Sequence, residues 1–162
     1  MTISIGDTLP DATLRSMGPD GPAEHQTSDL FKGRTVAIFA VPGAFTPTCS
    51  SAHLPSFMRV EDQLRSKGVD EVICLSVNDV FVMSAWAADT GADKTGIRMM
   101  SDPEAAFTKA IGMDFTAPPV GLIDRSKRYS MIVSDGKVTH LNPEDSPGEC
   151  QISAGETLVD QL

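Results

Sequence analysis

Apolar residues occupy almost every position in two stretches of the chain, residues 35–41 and residues 72–77. Continuous apolar runs of this length, rich in β-formers, are typical of strands buried on both faces. Residues 97–100 predict a third strand. A fourth is predicted at residues 12–17, after which the glycine- and proline-rich segment 18–22 turns the chain back into a hairpin. The pattern therefore predicts a sheet with a buried centre.

Helical spacing of apolar residues begins after Cys49 and ends at Gly68. The recurring positions are Leu54, Phe57, Met58 and Leu64. Pro55 is expected to kink or restart this helix, because proline has no backbone N–H to donate. Three more helices are predicted from residues typical of helix starts, which are Asn78-Asp79, Asp102-Pro103, and Ser153 with Glu156 in a capping box.

The clearest hairpin is predicted at residues 129–133 and 137–141, joined by the turn 134–136. Strands that alternate with helices, followed by a hairpin and a last helix, are typical of an α/β sandwich. We therefore predict one domain over residues 1–162, with a thioredoxin-like fold in which a central mixed β-sheet is flanked by helices.

The net charge of the chain is informative mainly because it excludes a nucleic-acid partner. With a formal net charge of −9 and a pI near 4.6, it lacks the basic face that a nucleic-acid partner requires. No apolar run approaches the roughly 20 residues that cross a bilayer, so no membrane association is expected. The N-terminal residues do not resemble a secretion signal, and we expect a cytoplasmic protein.

Three cysteines stand at positions 49, 74 and 150, far apart and without a Cys-x-x-Cys pair. A disulfide scaffold uses more cysteines in a shorter chain, and a structural zinc site needs four ligands with at least one close pair. In a reducing compartment each thiol is then either a buried apolar side chain or a chemically active one.

Cys49 is the best candidate for chemistry, because it lies where a buried strand has ended and a helix is about to begin. Unpaired backbone N–H groups at a helix N-terminus favour a thiolate. A reactive thiolate also needs preorganised donors that stabilise the charge developing on the leaving group. Thr46 offers a hydroxyl and a backbone N–H three residues before Cys49, and an arginine from elsewhere in the chain would add stronger donors.

The motif Pro42-x-x-x-Thr46-x-x-Cys49 resembles the active-site signature of the peroxiredoxin family. The longer run 42–50 is similar to the type II (type 5) subgroup. The likeness extends through residues 53–57, 76–82 and 125–131 and so covers essentially the whole chain.

The resemblance implies a thiol-dependent peroxidase that reduces hydrogen peroxide and small alkyl hydroperoxides without a cofactor or metal. It implies that Cys49 attacks the peroxide and becomes a sulfenic acid. Thr46 would bind the peroxide, Pro42 would shield the thiolate from water, and Arg128 would hold thiolate and peroxide together. A homodimer is implied as well.

The resemblance leaves the regeneration of Cys49 open. Cys150 lies in a predicted loop near the last helix, in a place similar to the resolving cysteine of animal type 5 enzymes. Cys74 follows Cys49 by 25 residues, as the second cysteine does in plant type II enzymes, although its apolar strand favours a buried inert thiol. The third route is a one-cysteine enzyme reduced by glutathione, glutaredoxin or thioredoxin.

Several neighbouring residues have simpler interpretations. Arg125 is expected to be a solvated strand-edge charge, and His53 a helix or packing residue rather than a metal partner of Cys49. Phe45, Phe81 and Trp86 are expected first in the core. The resemblance also implies that Phe45 and Phe81 line the rim of the active site or a dimer contact.

Three other functions use the same cysteine. A thiol–disulfide oxidoreductase fits the fold, but Thr46 occupies the place of the first cysteine in Cys-x-x-Cys. A redox sensor or chaperone-like protein would oxidise once and stop. A cysteine hydrolase needs a base beside Cys49, and the run 42–46 supplies none.

Overall fold

The apolar run Thr35–Val41 forms a strand deep within the sheet, as its sequence predicts. The computed structural model describes residues 2–162, and within them nine strands are present. These are β1 (Thr13–Gly18), β2 (Gly21–Gln26), β3 (Thr35–Val41), β4 (Glu71–Ser76), β5 (Arg98–Ser101), β6 (Asp114–Ala117), β7 (Leu122–Ser126), β8 (Tyr129–Ser134) and β9 (Lys137–Pro143).

Seven strands form one mixed sheet in the order β2-β1-β5-β4-β3-β8-β9. Strands β3, β4 and β5 run parallel, while β8 pairs antiparallel with β3. Strands β6 and β7 form a separate hairpin that the sequence analysis did not predict. The sheet confirms the predicted thioredoxin-like fold.

The described residues contain five α-helices: α1 (Thr27–Phe31), α2 (Leu54–Ser66), α3 (Val80–Thr90), α4 (Ala106–Ala110) and α5 (Gly155–Asp160). A π-helical turn, Cys49–His53, leads directly into α2, whose first turn contains Pro55. The predicted restart at Pro55 is confirmed. Helix α1 was not predicted. Among these helices none is long and apolar enough to span a membrane.

Alternation along β3 divides the core between the two faces of the sheet. Phe39 and Val41 pack with side chains of α2, α3 and α5, whereas Ile38 and Ala40 pack with those of α1 and α4. Cys49 belongs to the first of these clusters. The active-site candidate therefore lies on the face covered by the longer helices.

The terminal helix α5 is held unusually close to α2. The backbone N–H of Gly155 donates to the Ser56 hydroxyl at 2.9 Å. A Cβ atom added at Gly155 would lie 2.7 Å from the Ser56 carbonyl oxygen, so only glycine permits this approach. The contact fixes the C-terminal segment beside the helix that follows Cys49.

Two predicted helix starts were wrong. Helix α4 begins at Ala106 rather than at Pro103, because the buried Asp102 carboxylate accepts hydrogen bonds from the backbone N–H groups of Phe107 and Thr108 at 3.3 and 2.8 Å. No capping box precedes α5. The Ser153 hydroxyl instead donates to the Glu144 carboxylate at 2.6 Å.

Candidate active site

Cys49 begins the π-helical turn that links the loop after β3 to α2. Its side chain is fully buried. The backbone N–H of Ser50, the next residue, already donates to the Thr46 carbonyl at 3.0 Å, so Cys49 lies in the first helical turn as the sequence predicts. The sulfur therefore lies where the loop after β3 enters the helical segment.

Two side chains donate to the sulfur of Cys49. The Thr46 hydroxyl lies 2.7 Å from Sγ, and Nη2 of Arg128 lies 3.1 Å from it. Hydrogen bonds to the charged form of an acid favour that form, and bonds from a cation are the stronger kind. The structure therefore brings together Cys49, Thr46 and Arg128, three of the residues to which the resemblance assigned roles, and both donors are placed to stabilise a negative charge on sulfur.

The Thr46 hydroxyl has a second partner. It also lies 2.7 Å from the Gly43 carbonyl oxygen, which can only accept. Because a hydroxyl carries one proton, Thr46 donates either to Gly43 or to Cys49. When the sulfur is a thiol, its proton can go to Thr46 and the threonine donates to Gly43. When the sulfur is a thiolate, Thr46 turns its proton to Sγ.

Arg128 is a buried cation, with 1% of its surface exposed. Besides the sulfur, its guanidinium donates to Nδ1 of His53 at 3.0 Å and to the Pro147 carbonyl at 3.1 Å. Within residues 2–162 no aspartate or glutamate forms an ion pair with it. Its positive charge is therefore left for the sulfur and for whatever binds there.

His53 is buried and neutral. Its Nε2 lies 3.0 Å from the Ser153 carbonyl oxygen, and its ring packs edge-on against Phe39 and Phe57. Burial, together with the charge of Arg128, lowers the pKa of His53 to about 3. The packing role predicted from the sequence is correct, but the hydrogen bond to Arg128 was missed, because 75 residues separate the two side chains.

The loop that carries Thr46 is fixed by Asn78. Its side-chain oxygen accepts from the Ala44 N–H at 3.0 Å and from the Ser76 hydroxyl at 2.6 Å. The adjacent Asp79, not Asn78, caps helix α3, accepting from the Val82 N–H at 2.8 Å. Of the two residues predicted to cap this helix, Asp79 does so, whereas Asn78 holds the active-site loop.

Sequence comparison extends the likeness to the whole chain. A profile of the Redoxin family matches residues 4–159. Peroxiredoxin-2E-2, chloroplastic, from Oryza sativa subsp. japonica is 45% identical over 161 residues, covering 97% of this chain and 72% of the relative. Peroxiredoxin-2B from Arabidopsis thaliana is 39% identical over 163 residues, covering 99% and 98%.

The chain belongs to the Redoxin family as a peroxiredoxin. Among solved structures, reduced Prx3 of Vibrio vulnificus in complex with H2O2 is 45% identical, has a TM-score of 0.92, and is matched over 99% of both chains. Peroxiredoxins are thiol-dependent peroxidases, so the predicted enzyme class is confirmed.

Pro42 and Arg125 both adjoin the loop that carries Thr46. Pro42 is buried between β3 and the active-site loop. A Cβ atom added at Gly43 would lie 2.9 Å from Nη1 of Arg125, which places that guanidinium against the loop. The prediction of a simply solvated Arg125 was therefore wrong, since this side chain is half-buried beside the backbone that holds Thr46.

The two other cysteines of this peroxiredoxin differ from each other. Cys74 is fully buried in β4, and burial raises the pKa of its thiol well above the ordinary value. Cys150 is half-buried in the loop before α5, where burial raises the pKa of its thiol and the charge of Arg128 opposes the rise. The inert interpretation of Cys74 fits this environment.

Of the three aromatic residues expected in the core, only Trp86 lies there. Trp86 is fully buried, and its indole N–H donates to the Ser50 hydroxyl at 2.9 Å, which ties α3 to the residue after Cys49. Phe45 and Phe81 are instead 52% and 65% exposed, so their assignment to the core was wrong. Phe45 also has a positive φ of 65°, a strained conformation for a bulky residue beside the reactive loop.

Neither a metal nor a hydrolase base is evident at Cys49. Across residues 2–162 no group of three histidine, cysteine, aspartate or glutamate side chains is arranged to hold a metal ion. The two ring nitrogens of His53 are taken by Arg128 and the Ser153 carbonyl. His53 therefore has no free nitrogen with which to act as a base toward Cys49.

Proposed function

We propose that Cys49 is the peroxide-reactive residue of this peroxiredoxin, and that Thr46 and Arg128 are its catalytic partners. The observation that carries the proposal is the pair of donors, at 2.7 and 3.1 Å, aimed at one buried sulfur. Hydrogen peroxide and small alkyl hydroperoxides are the proposed substrates, since the solved relative from Vibrio vulnificus is in complex with H2O2.

The thiolate of Cys49 attacks one peroxide oxygen, and the S–O bond forms as the O–O bond breaks. The electron pair of that bond leaves with the other oxygen as RO⁻, which takes up a proton to give ROH or water. Sulfur is oxidised by two electrons to the sulfenic acid. Arg128 and Thr46 donate to the oxygens on which charge develops, and Pro42 keeps water from the sulfur.

Regeneration requires two thiols. The first displaces hydroxide from the sulfenic sulfur, and with one proton this leaves as water. The second releases Cys49 from the mixed disulfide. We propose glutathione with glutaredoxin, or thioredoxin, as the source of electrons. Cys150 is the better-placed internal thiol, because its loop is bonded to Arg128 through Pro147 and to Thr48 through Gly148, whereas Cys74 is enclosed in a strand.

The decisive test is peroxide consumption with a thiol reductant by wild type and by Cys49→Ser. Turnover is expected only in the wild type, and wild-type rates in Cys49→Ser would refute the assignment. Mass spectrometry under non-reducing conditions then separates the recycling routes. A Cys49–Cys150 link supports an internal thiol, a Cys49–Cys74 link overturns the enclosed role of Cys74, and an unlinked sulfenic acid supports an external reductant.

A homodimer and a cytoplasmic location complete the proposal. Phe45, in the loop after β3, and Phe81, in the first turn of α3, are both exposed, and exposed aromatic residues favour interfaces. Asn78, which precedes α3, holds the two segments together by accepting from the Ala44 N–H. Light scattering should give a mass near twice 17.2 kDa, and Phe81→Asp should lower it to that of one chain.

We propose a cytoplasmic location because the regeneration of Cys49 needs a reducing compartment. Relatives named chloroplastic and mitochondrial make fractionation of the native host the direct test of the location.

We also infer that residues 1–162 fold as one domain. The main sheet takes strands from both halves of the chain, and α5 packs on α2. One cooperative unfolding transition, seen alike by circular dichroism and by Trp86 fluorescence, is expected. Two separated transitions would contradict the inference.

A further inference from the structure

Arg128 is held from two sides by groups that carry no charge. Its Nη1 donates to His53 and its Nε to the Pro147 carbonyl, while Nη2 points to the sulfur of Cys49. Each of its three nitrogens thus has one partner, and two of these partners fix the plane in which the third nitrogen lies. The direction of the bond to sulfur is set by His53 and Pro147.

Only one form of His53 satisfies both of its contacts. A guanidinium has donors and no acceptor, so Nδ1 of His53 must accept from Arg128. A carbonyl oxygen has no proton, so Nε2 must donate to Ser153. The neutral ring protonated at Nε2 meets both requirements, whereas the imidazolium would place a second proton against Arg128.

A neutral partner has a consequence for the chemistry. A carboxylate at the position of His53 would also orient the guanidinium, but it would pair with the charge that the sulfur needs. A neutral imidazole orients the guanidinium of Arg128 and leaves its positive charge unpaired. His53 is fully buried, and its orientation is fixed by two hydrogen bonds, one at each ring nitrogen.

We propose that His53 is a positioning residue of the peroxidase reaction, which holds Nη2 of Arg128 on the sulfur of Cys49 by accepting a hydrogen bond at Nδ1. The inference rests on the proposed function of Cys49. It assigns to His53 no contact with peroxide and no proton transfer. Its effect travels through Arg128 alone.

Two conservative substitutions separate the two contacts of His53. The side-chain oxygen of asparagine reaches about as far as Nδ1, and the amide nitrogen of glutamine about as far as Nε2. His53→Asn therefore retains the acceptor for Arg128 and loses the donor to Ser153. His53→Gln retains the donor to Ser153 and loses the acceptor. His53→Leu loses both.

The quantity to measure is kcat/KM for hydrogen peroxide, together with thermal unfolding of each variant. We expect His53→Asn to stay within about threefold of wild type, and His53→Gln and His53→Leu to fall about tenfold or more, as for other hydrogen bonds to charged groups. Thermal stability should depend instead on the hydrogen bond to the Ser153 carbonyl, so His53→Gln should be more stable than His53→Asn. Folded Gln and Leu variants with wild-type kcat/KM would overturn the proposal.

Phe57→Leu is the matched control for packing. It disturbs the stack around the histidine ring but leaves both hydrogen bonds of His53 in place. Its stability should fall while kcat/KM stays within about threefold of wild type. A loss in Phe57→Leu equal to that in His53→Gln would show that packing alone matters, and would end the positioning role.

A double-mutant cycle tests whether His53 acts through Arg128. In the Arg128→Met background, His53→Gln should change kcat/KM by less than about twofold, because the group it positions is absent. A full tenfold loss in that background would contradict the proposal. Failure of the proposed function is distinguishable, since it would appear as retained turnover in Cys49→Ser, whatever the His53 variants do.

Discussion

Cys49 and Cys74 are two cysteines with the same burial and opposite surroundings. Both side chains are fully buried, and both belong to the cluster between the sheet and helices α2, α3 and α5. Cys49 meets the hydroxyl of Thr46 and the guanidinium of Arg128. Cys74 lies within β4, paired with Phe39 on the neighbouring strand.

The two thiols therefore differ in their hydrogen-bond donors and not in their exposure, and on the proposed function these donors decide which thiol reacts. Burial by itself disfavours a thiolate, and it is the first cause of the raised pKa of Cys74. The second cause is the charge of Cys49, which opposes a second anion nearby. One ionised sulfur in this cluster therefore helps to keep the other one neutral.

The largest effect should come from removing the cation. Arg128→Met leaves the sulfur with one donor, and we expect kcat/KM for hydrogen peroxide to fall roughly 10²- to 10³-fold, as for loss of a preorganised transition-state donor. Arg98→Met is the control, because Arg98 pairs with Glu71 at 3.2 Å, away from Cys49. A loss under tenfold for Arg128→Met would contradict the argument that Arg128 distinguishes Cys49 from Cys74.

Thr46→Val should have the next largest effect. It removes the hydroxyl 2.7 Å from Sγ while keeping the shape of the side chain. A fall in kcat/KM of about 10- to 100-fold is expected, since a hydrogen bond to a charged group contributes about 1.5–3 kcal/mol. Thr46→Ser retains the hydroxyl and should stay within a few-fold of wild type. Equal losses in both variants would assign the effect to the methyl group instead.

The sequence alone predicted the parts of this site that are local. The strand Thr35–Val41 ends where its apolar run ends, and the motif from Pro42 to Cys49 follows it directly. The resemblance to peroxiredoxins then led from this motif to Arg128, which periodicity alone does not reach. Residues close in sequence, or joined by a family motif, were therefore the ones that could be found.

What was missed depends on contacts between distant segments. The hydrogen bond between His53 and Arg128 joins the π-helical turn before α2 to the residue that precedes β8. The Glu144 carboxylate accepts from the Ser153 hydroxyl, so that this hydroxyl does not cap α5. Phe45 and Phe81 were assigned to the core on side-chain type, although each stands on an exposed loop or first helical turn. Type and spacing do not report which side of a loop faces water.

The neutral state of His53 makes folding depend on pH. Its pKa is about 3 in the fold and about 6.5 in the unfolded chain, so between these values only the unfolded chain binds the proton. The resulting stability is complete above pH 6.5 and is lost as the pH falls toward 3. Roughly 2 kcal/mol of the free energy of unfolding should be lost between pH 7.5 and pH 5.

Urea unfolding of wild type and His53→Asn across this range isolates that contribution. Because the variant lacks the titrating ring, its stability should fall less on acidification, and the difference between the two proteins should shrink by about the same 2 kcal/mol. Parallel curves would mean that His53 binds its proton equally well in the fold and in the unfolded chain, and so is not shielded from water as the structure indicates.

The smallest effect is expected at Cys74. Cys74→Ala removes a sulfur that no donor approaches in the hydrogen bonds of residues 2–162, so kcat/KM for peroxide should stay within about twofold of wild type, with a modest loss of stability from the small cavity. Alkylation of the native protein should modify Cys74 far more slowly than Cys49.

The variant Cys49→Ser separates the two causes of the raised pKa of Cys74, because it removes the charge of Cys49 and leaves Cys74 buried. Because burial is the larger cause, Cys74 should remain unreactive there, and rapid labelling of Cys74 in that variant would show that the two cysteines differ by charge alone.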